Sequence, residues 1–433
     1  MTRIPHWGSS HLHVAAALLL SFSVLSIAGC ESGTTTIDGG GTDKDCGADH
    51  VARDAPLGLV LPFEEGSVWT VGGAGSFYGE YLHTDDNDDF YATDWNCCNL
   101  EDGGEPVYPI APGRVTYAQD YGAGYGNLVQ VVHPGEPPFL SGYAHLDDIF
   151  VEVGEIVFTT TQIGTLGSTG GDWSDHLHMS FKGWDEDEGQ EGGFVSQEDN
   201  TASRKPSPMW TAVGSTPTST TLCSGDNLRS IKNVSVFFDV LPDEDWFSPH
   251  ITSLYAHGFV VGCSNDPFLF CPFDQLTRAE MAVLIVRGYH RHALQEHDFD
   301  EPEQPQQRLF TDVDPGEWYA KWAHQLYEDG FTAGCSLDEL AFCPLDLVTK
   351  AEMAVFMLRA RNGVEWEPDP PQGFLSDMDI DDWRTKWAEA AVEYGIMVPC
   401  VGITNRFCPD EEPPRALAAV WMARGFDLPL PPE

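Results

Sequence analysis

His176 and His178 stand two positions apart in GDWSDHLHMSF (171–181). Side chains along a β-strand alternate between faces, so residues i and i+2 share one. Two imidazoles aimed at one spot suit two kinds of chemistry. They can help to hold a zinc ion, and they can move a proton near pH 7. YAHLDDIFVEVGEIV (143–157) supplies a third histidine, His145, and QIGTLGSTGG (162–171) leads into the H-x-H segment. Other polar or glycine-rich stretches offer less. DDNDD (85–89) lacks the spaced ligands and closing Glu of a calcium loop and reads as a solvated acidic loop. GGAGSF (72–77) and GAGYGN (122–127) have no strand–helix context with a following Lys, so phosphate binding is not indicated. His133, in VVHPG, reads as a turn residue at a strand end.

The elements that must position these histidines are strands. GRVTYA (113–118) and NLVQVV (127–132) are short runs rich in β-formers and bounded by Gly and Pro. No strong helical period runs through 53–200, which reads as one all-β domain of sheets and long loops. STPTSTT (215–221) is a linker. Over the whole 433 residues, 22 Lys+Arg stand against 68 Asp+Glu, a formal charge of −46. That balance excludes nucleic-acid binding through a basic face.

The N-terminus and the cysteines point to export. Arg3 precedes an apolar run, VAAALLLSFSVLSIAG (14–29), shorter than a membrane-spanning helix usually needs. SIAGC resembles the lipobox of bacterial lipoproteins. The resemblance implies cleavage before Cys30, lipidation of Cys30, and a membrane-anchored place in the cell envelope. ESGTTTIDGGGTDKD (31–45) is a flexible tether. Of the 11 cysteines, six form three pairs of one spacing: Cys263/Cys271, Cys335/Cys343 and Cys400/Cys408. In an oxidising compartment these read as disulfides, since C-x7-C is not a usual zinc spacing. Cys46, Cys97, Cys98 and Cys223 remain, with disulfides from the Cys97–Cys98 pair to Cys46 or Cys223 expected and the connectivity open.

From 236 the chain repeats. Three segments open FFDVLPDEDW, FTDVDPGEWY and LSDMDIDDWR and close on FCPFDQLTRAEMAV, FCPLDLVTKAEMAV and FCPDEEPPRALAAV. Asp239, Asp312 and Asp377 precede apolar-periodic runs and are expected at helix N-termini. Thr277/Glu280 and Thr349/Glu352 fit capping boxes, so each repeat reads as helix, stapled loop, helix. The opening F-x-D-V, the tryptophans Trp246, Trp318 and Trp383, and TRAE or TKAE resemble S-layer homology (SLH) repeats over about 237–426. That family implies a C-terminal α-helical three-repeat bundle that binds a cell-wall polymer, with Arg278, Lys350 and Arg415 in ligand contact. Leu417 replaces the Glu of the third copy, so its groove is expected not to bind.

The β domain has its own resemblance. GEPVYPIAPGRVTYA, YGNLVQVVHPG, YAHL and H-x-H, in that order, resemble the lysostaphin-type (LytM-like) zinc metallopeptidases over about 62–182. The resemblance implies an all-β metallopeptidase domain of antiparallel sheets with one zinc ion. Asp94 of YATDW and His178 become ligands, and His145 and His176 the catalytic pair. His176 is read as general base and His145 as the group steadying oxyanion or water, roles that sequence leaves interchangeable. The family usually shows His-x-x-x-Asp, but Phe90 stands four before Asp94, and His83 becomes the third ligand.

The organisation expected is a signal peptide (1–29), tether (30–52), peptidase domain (53–210), linker (211–235) and repeats at 236–290, 309–362 and 374–426. The function expected is peptide-bond hydrolysis in peptidoglycan, by an enzyme anchored through its lipid and held by its repeats on a wall polymer. The rivals are a catalytically inactive binding or regulatory lipoprotein and a structural envelope-anchoring protein.

Overall fold

A computed structural model describes residues 53–54, 60–71, 92–97, 103–135, 138–172, 174–183, 227–230, 235–242, 244–265, 268–294, 299, 301–336, 338–400 and 405–432. Cys30, Cys46, Cys98, Cys223, His83, the acidic loop 85–89, the leader, the tether and the STPTSTT part of the linker lie outside the described residues, whereas 227–229 of the expected linker form a strand of the sheet. Among the described residues, no helix is long and apolar enough to cross a membrane.

The N-terminal half is all β. Its strands are β1 (Arg53–Asp54), β2 (Val68–Val71), β3 (Thr93–Cys97), β4 (Pro106–Val107), β5 (Gly113–Asp120), β6 (Asn127–His133), β7 (Phe139–Leu146), β8 (Ile156–Val157), β9 (Gly164–Thr165), β10 (Leu177–Gly183) and β11 (Asn227–Arg229). Nine of them build one sheet in the order β1-β11-β2-β3-β10-β7-β6-β5-β8, and β4 pairs with β9. All neighbours in the large sheet run antiparallel except β1 and β11. Alternation sorts the central strands into two faces. Val129, Val131, Tyr143, Leu177, Met179 and Trp95 enter one apolar core with Leu61, Phe63 and Trp69. Leu128, Gln130, Gly142, Ala144, His178, Ser180 and Asp94 take the opposite face.

His133 is not a turn residue. It ends β6 on the core side, fully buried and stacked on Phe139 with ring centroids 4.5 Å apart. Nδ1 donates to the Pro112 carbonyl at 3.0 Å, which leaves Nε2 as acceptor for the Ser141 hydroxyl at 2.7 Å. Ser141 Oγ lies 2.8 Å from the Tyr143 hydroxyl, which accepts the Ile110 N–H. Burial pushes the His133 pKa from its ordinary 6.5 down to about 4. The unfolded chain therefore takes up this proton at a higher pH than the folded one. Stability is full above 6.5 and falls as pH drops toward 4. We expect a loss of about 2 kcal/mol at pH 5 from this group alone. Urea unfolding at pH 7 and pH 5 should show a smaller difference for His133→Gln than for wild type. Equal differences would refute the assignment.

The C-terminal half is helical: α1 (Ser248–Ala256), α2 (Arg278–Gly288), α3 (Ala320–Glu328), α4 (Lys350–Asn362), α5 (Thr385–Glu393) and α6 (Arg415–Gly425). One apolar cluster runs through all six. Both expected capping boxes form, at Thr277/Glu280 and Thr349/Glu352, while Pro414 opens α6 with no side-chain cap. The three sequence-matched disulfides join Cys263–Cys271, Cys335–Cys343 and Cys400–Cys408. Closing so short a loop contributes roughly 2–3 kcal/mol on the chain-entropy account.

Asp239, Asp312 and Asp377 do not cap helices. Each carboxylate accepts two backbone N–H bonds from the staple loop of its own repeat, at Phe270/Cys271, Phe342/Cys343 and Phe407/Cys408, all at 2.7–2.8 Å. The second cysteine of each staple sits in the left-handed region, with φ of 55–58°. L-residues resist that conformation, and the carboxylate and the disulfide together hold it. The loops then serve the second helix of a neighbouring repeat, not of their own. Pro344 and Asp346 carbonyls accept the first N–H groups of α2, Pro409 and Glu411 those of α4, and Pro272 and Asp274 those of α6. The third repeat thereby closes back on the first.

Candidate metal centre

β10 lies between β3 and β7, and the register does the positioning. His178 stands opposite Asp94 on one side and Ala144 on the other. His178 Nδ1 comes within 3.1 Å of Asp94 Oδ1. His176, bridged to Gly167 just before β10 begins, brings Nε2 within 3.7 Å of the same oxygen. The His145 ring lies 4.6 Å from that of His176 and 5.7 Å from that of His178, centroid to centroid. All four residues are buried, none more than 7% exposed. The shared face of the H-x-H pair therefore holds in three dimensions.

Two loops set the orientation of the rings. His145, next to the end of β7, has φ 63°, an unusual conformation for a residue with a side chain. Its N–H donates to the Tyr125 carbonyl at 2.8 Å, and its Nδ1 donates to the Thr169 carbonyl at 2.9 Å. A carbonyl only accepts, so Nδ1 carries the proton and Nε2 is left as an acceptor. His176 is fixed the same way by the Ser174 carbonyl at 2.7 Å. The glycines explain how the loops come so close. A Cβ on Gly126 would lie 2.3 Å from the Thr169 carbonyl carbon, and one on Gly170 would lie 2.4 Å from the Gly126 nitrogen. Both glycines also have positive φ. Burial, and next the positive potential of His178 and His176 when they are protonated, push the His145 pKa down to about 3. Tyr125, Thr169 and Ser174 were not legible as positioning residues. They act through backbone carbonyls, which leave no mark on residue type.

The donor set fits zinc. An oxygen of Asp94 and a nitrogen of His178 lie 3.1 Å apart. That is near the roughly 3.3 Å edge of a tetrahedron with bonds of about 2.0 Å. The third ligand expected, His83, lies outside the described residues. Among the described residues, two triads bring three donor groups closer together, Asp312/Cys335/Cys343 and Asp377/Cys400/Cys408. Their sulfurs are spent in disulfides.

Residues 95–190 match the model of peptidase family M23, beginning one residue after Asp94. A lipoprotein NlpD of Yersinia enterocolitica is 39% identical over 79 residues, 18% of this chain and 78% of that protein. The chain belongs to peptidase family M23. The murein hydrolase activator NlpD of Escherichia coli (strain K12) is 38% identical over 79 residues, but the match spans only 20% of its length. Among solved M23-like structures, the catalytic domain of the antimicrobial peptidase lysostaphin from Staphylococcus simulans is 23% identical, with a TM-score of 0.22. That match covers 35% of this chain and 88% of that one. The M23 sheet is thus followed here by a helical half that those relatives' matched segments do not account for.

In the helical half, the three expected polymer-contact residues sit at the junctions between repeats. Arg278 Nε donates to the Phe342 carbonyl at 2.9 Å, with the guanidinium over the Phe342 ring, and Glu352 lies 3.8 Å away. Arg415 Nε donates to the Phe270 carbonyl at 3.0 Å and its Nη1 to Glu280 at 2.5 Å. Lys350 Nζ donates to the Val398 carbonyl at 2.7 Å and faces the Phe407 and Trp421 rings. Arg278 and Lys350 are buried, and Arg415 is half-buried. None is a solvated helix-start residue.

Proposed function

We propose that the chain is a zinc metalloendopeptidase of the bacterial cell envelope that hydrolyses peptide bonds in peptidoglycan. The observation that carries this reading is the meeting of Asp94, His145, His176 and His178 at one end of β10, in the segment that matches a peptidase family. The relatives' names, lipoprotein and murein hydrolase activator, support an envelope location and a murein substrate.

Asp94 and His178 hold the ion, with His83 as third ligand. Zinc bound there supplies Lewis acidity toward a carbonyl and a water molecule. His176, its Nδ1 proton committed to Ser174, offers Nε2 to take the water's proton and pass it to the leaving amine. His145 offers Nε2 as an acceptor too. As a neutral ring it orients the water; to steady an oxyanion it would need a second proton, which its burial opposes.

The helical half, read as SLH repeats, holds the enzyme on a wall polymer and so raises local substrate concentration. A groove of about 340 Å³ lined by Gly262, Glu280, Arg287, Trp318 and Arg415 supports this. So do Trp246, Trp318 and Trp383, exposed at equivalent places in the three repeats and able to stack on sugar rings. Lipidation of Cys30 ties the chain to a membrane.

One feature favours a second reading, a non-hydrolysing regulator with the peptidase fold: Phe90 occupies the usual histidine position four before Asp94. The chain lacking its leader separates the two. The enzyme carries one zinc per chain by elemental analysis and releases new amino termini from purified peptidoglycan. A zinc-free, inert protein that still sediments with peptidoglycan would be the regulator.

A further inference from the structure

The helical half is built from three copies of one motif, so a position where a single copy breaks the pattern points to what that copy alone touches. Phe238 is such a position. Its N–H donates to the Phe268 carbonyl at 3.0 Å, as Thr311 donates to Leu340 at 2.8 Å and Ser376 to Asn405 at 2.7 Å. The backbone is thus the same in all three repeats. Thr311 and Ser376 are exposed, whereas Phe238 is half-buried and packs on the apolar core of the β domain. Its neighbour Phe237 is buried in the helical core, so adjacent residues belong to opposite cores. Tyr255 of α1 breaks the pattern again. It corresponds to Tyr327 and Val392 in the other copies. Tyr327 is 38% exposed and Tyr255 only 2%. The Tyr255 hydroxyl donates at 2.7 Å to the carbonyl of Pro134, one residue past β6, and α1 lies against β5.

The chain enters repeat 1 from a fixed point. Ser230, directly after β11, donates its N–H to the Ser67 carbonyl and its Oγ to the Phe63 carbonyl, both at 2.9 Å. Neighbouring domains move freely unless the surface between them is apolar and well filled. An aromatic ring where the other copies show a hydroxyl to water, and a buried phenol spent across the junction, make such a surface. We propose that repeat 1 is docked on the peptidase sheet, so that the repeats do more than tether the metal centre: they hold it at one reach and direction from the wall polymer. A flexible tether lets an enzyme search every bond within its length, whereas a fixed arm presents the site only to bonds in one place. The docking stands on the contacts above; its consequence for the wall rests on the peptidase and wall-holding readings.

The test uses the chain lacking its leader, with a protease site inserted between Ser230 and Ser235. The folded chain is cut there and passed over a sizing column. Wild-type halves are expected to elute together. Tyr255→Phe removes one hydroxyl and should raise the Kd between the halves about tenfold. Phe238→Thr gives repeat 1 the residue of repeat 2 and should part the halves. Wild-type halves that separate on cutting, or a Kd unmoved by Tyr255→Phe, overturn the docking, and neither result needs Phe238→Thr to fold. The uncut chains are then compared on intact peptidoglycan. Digestion by wild type should stall with cross-links left over, and Phe238→Thr should cut about twofold more of them, with equal turnover of soluble muropeptides. An undocked variant that stalls at the same point overturns the orienting role and leaves the docking. A wild type that cleaves no muropeptide removes the peptidase reading and the orienting role with it, while the sizing column still decides the docking without any activity.

Discussion

Replacing His176 with alanine is expected to lower kcat on soluble muropeptides by about 10²–10⁴-fold while zinc stays at one per chain. The geometry is the reason. His176 Nε2 lies 3.7 Å from Asp94 Oδ1, against 3.1 Å for His178 Nδ1, so His176 stands beside the donor pair rather than in it. Its other nitrogen is committed to Ser174, so the ring is held in one tautomer with its acceptor facing the site. His178→Ala should do something different. It removes one of the two described donors, and zinc content should fall with activity. Elemental analysis beside turnover separates the two histidines, though they are neighbours on one face. If His176→Ala lost its zinc and His178→Ala kept it, the roles assigned to the pair would be reversed. His145→Ala belongs with His176→Ala: its Nδ1 is tied to Thr169, and its loss should spare the metal.

The strands and the local signals were legible in the sequence because they depend on residues close together in the chain. GRVTYA and NLVQVV are β5 and β6, extended by a residue or two. The H-x-H face, the capping boxes at Thr277 and Thr349, and the three C-x7-C staples are all short-range patterns. What failed was long-range. His133 looks like a turn residue beside Pro134, but Pro112 and Ser141, 21 and 8 positions away, make a buried cradle for it. Asp239, Asp312 and Asp377 precede helical runs and look like caps, yet they reach 30–32 residues forward to the staple loops. The donors Asp94 and His178 are 84 residues apart and meet only through the β3–β10 register; their pairing came from family resemblance, not from any local periodicity.

The closing of the repeats into a ring gives a second large effect. Arg415→Ala should destabilise the helical half by about 3 kcal/mol. The guanidinium satisfies the Phe270 carbonyl, lies over the Phe270 ring and pairs with Glu280. Glu280 also completes the capping box of α2. One substitution therefore strands a carbonyl and takes the partner from one oxygen of a carboxylate at the junction where the last repeat meets the first. Lys350→Met is the informative contrast. Arg278 faces Glu352 and Arg415 faces Glu280, but Leu417 stands at the matching place of the third repeat. Lys350 has no acidic partner within 4 Å among the described residues, and burial lowers its pKa. Methionine keeps the stem against Phe407 and Trp421 and gives up one bond to Val398, so its cost should stay near 1 kcal/mol. The missing acid of the third copy thus lightens the Lys350 junction and leaves Arg415 fully engaged. Urea unfolding of both variants measures the difference. A Lys350→Met loss as large as that of Arg415→Ala would mean that the cation at 350 is held by more than a single carbonyl.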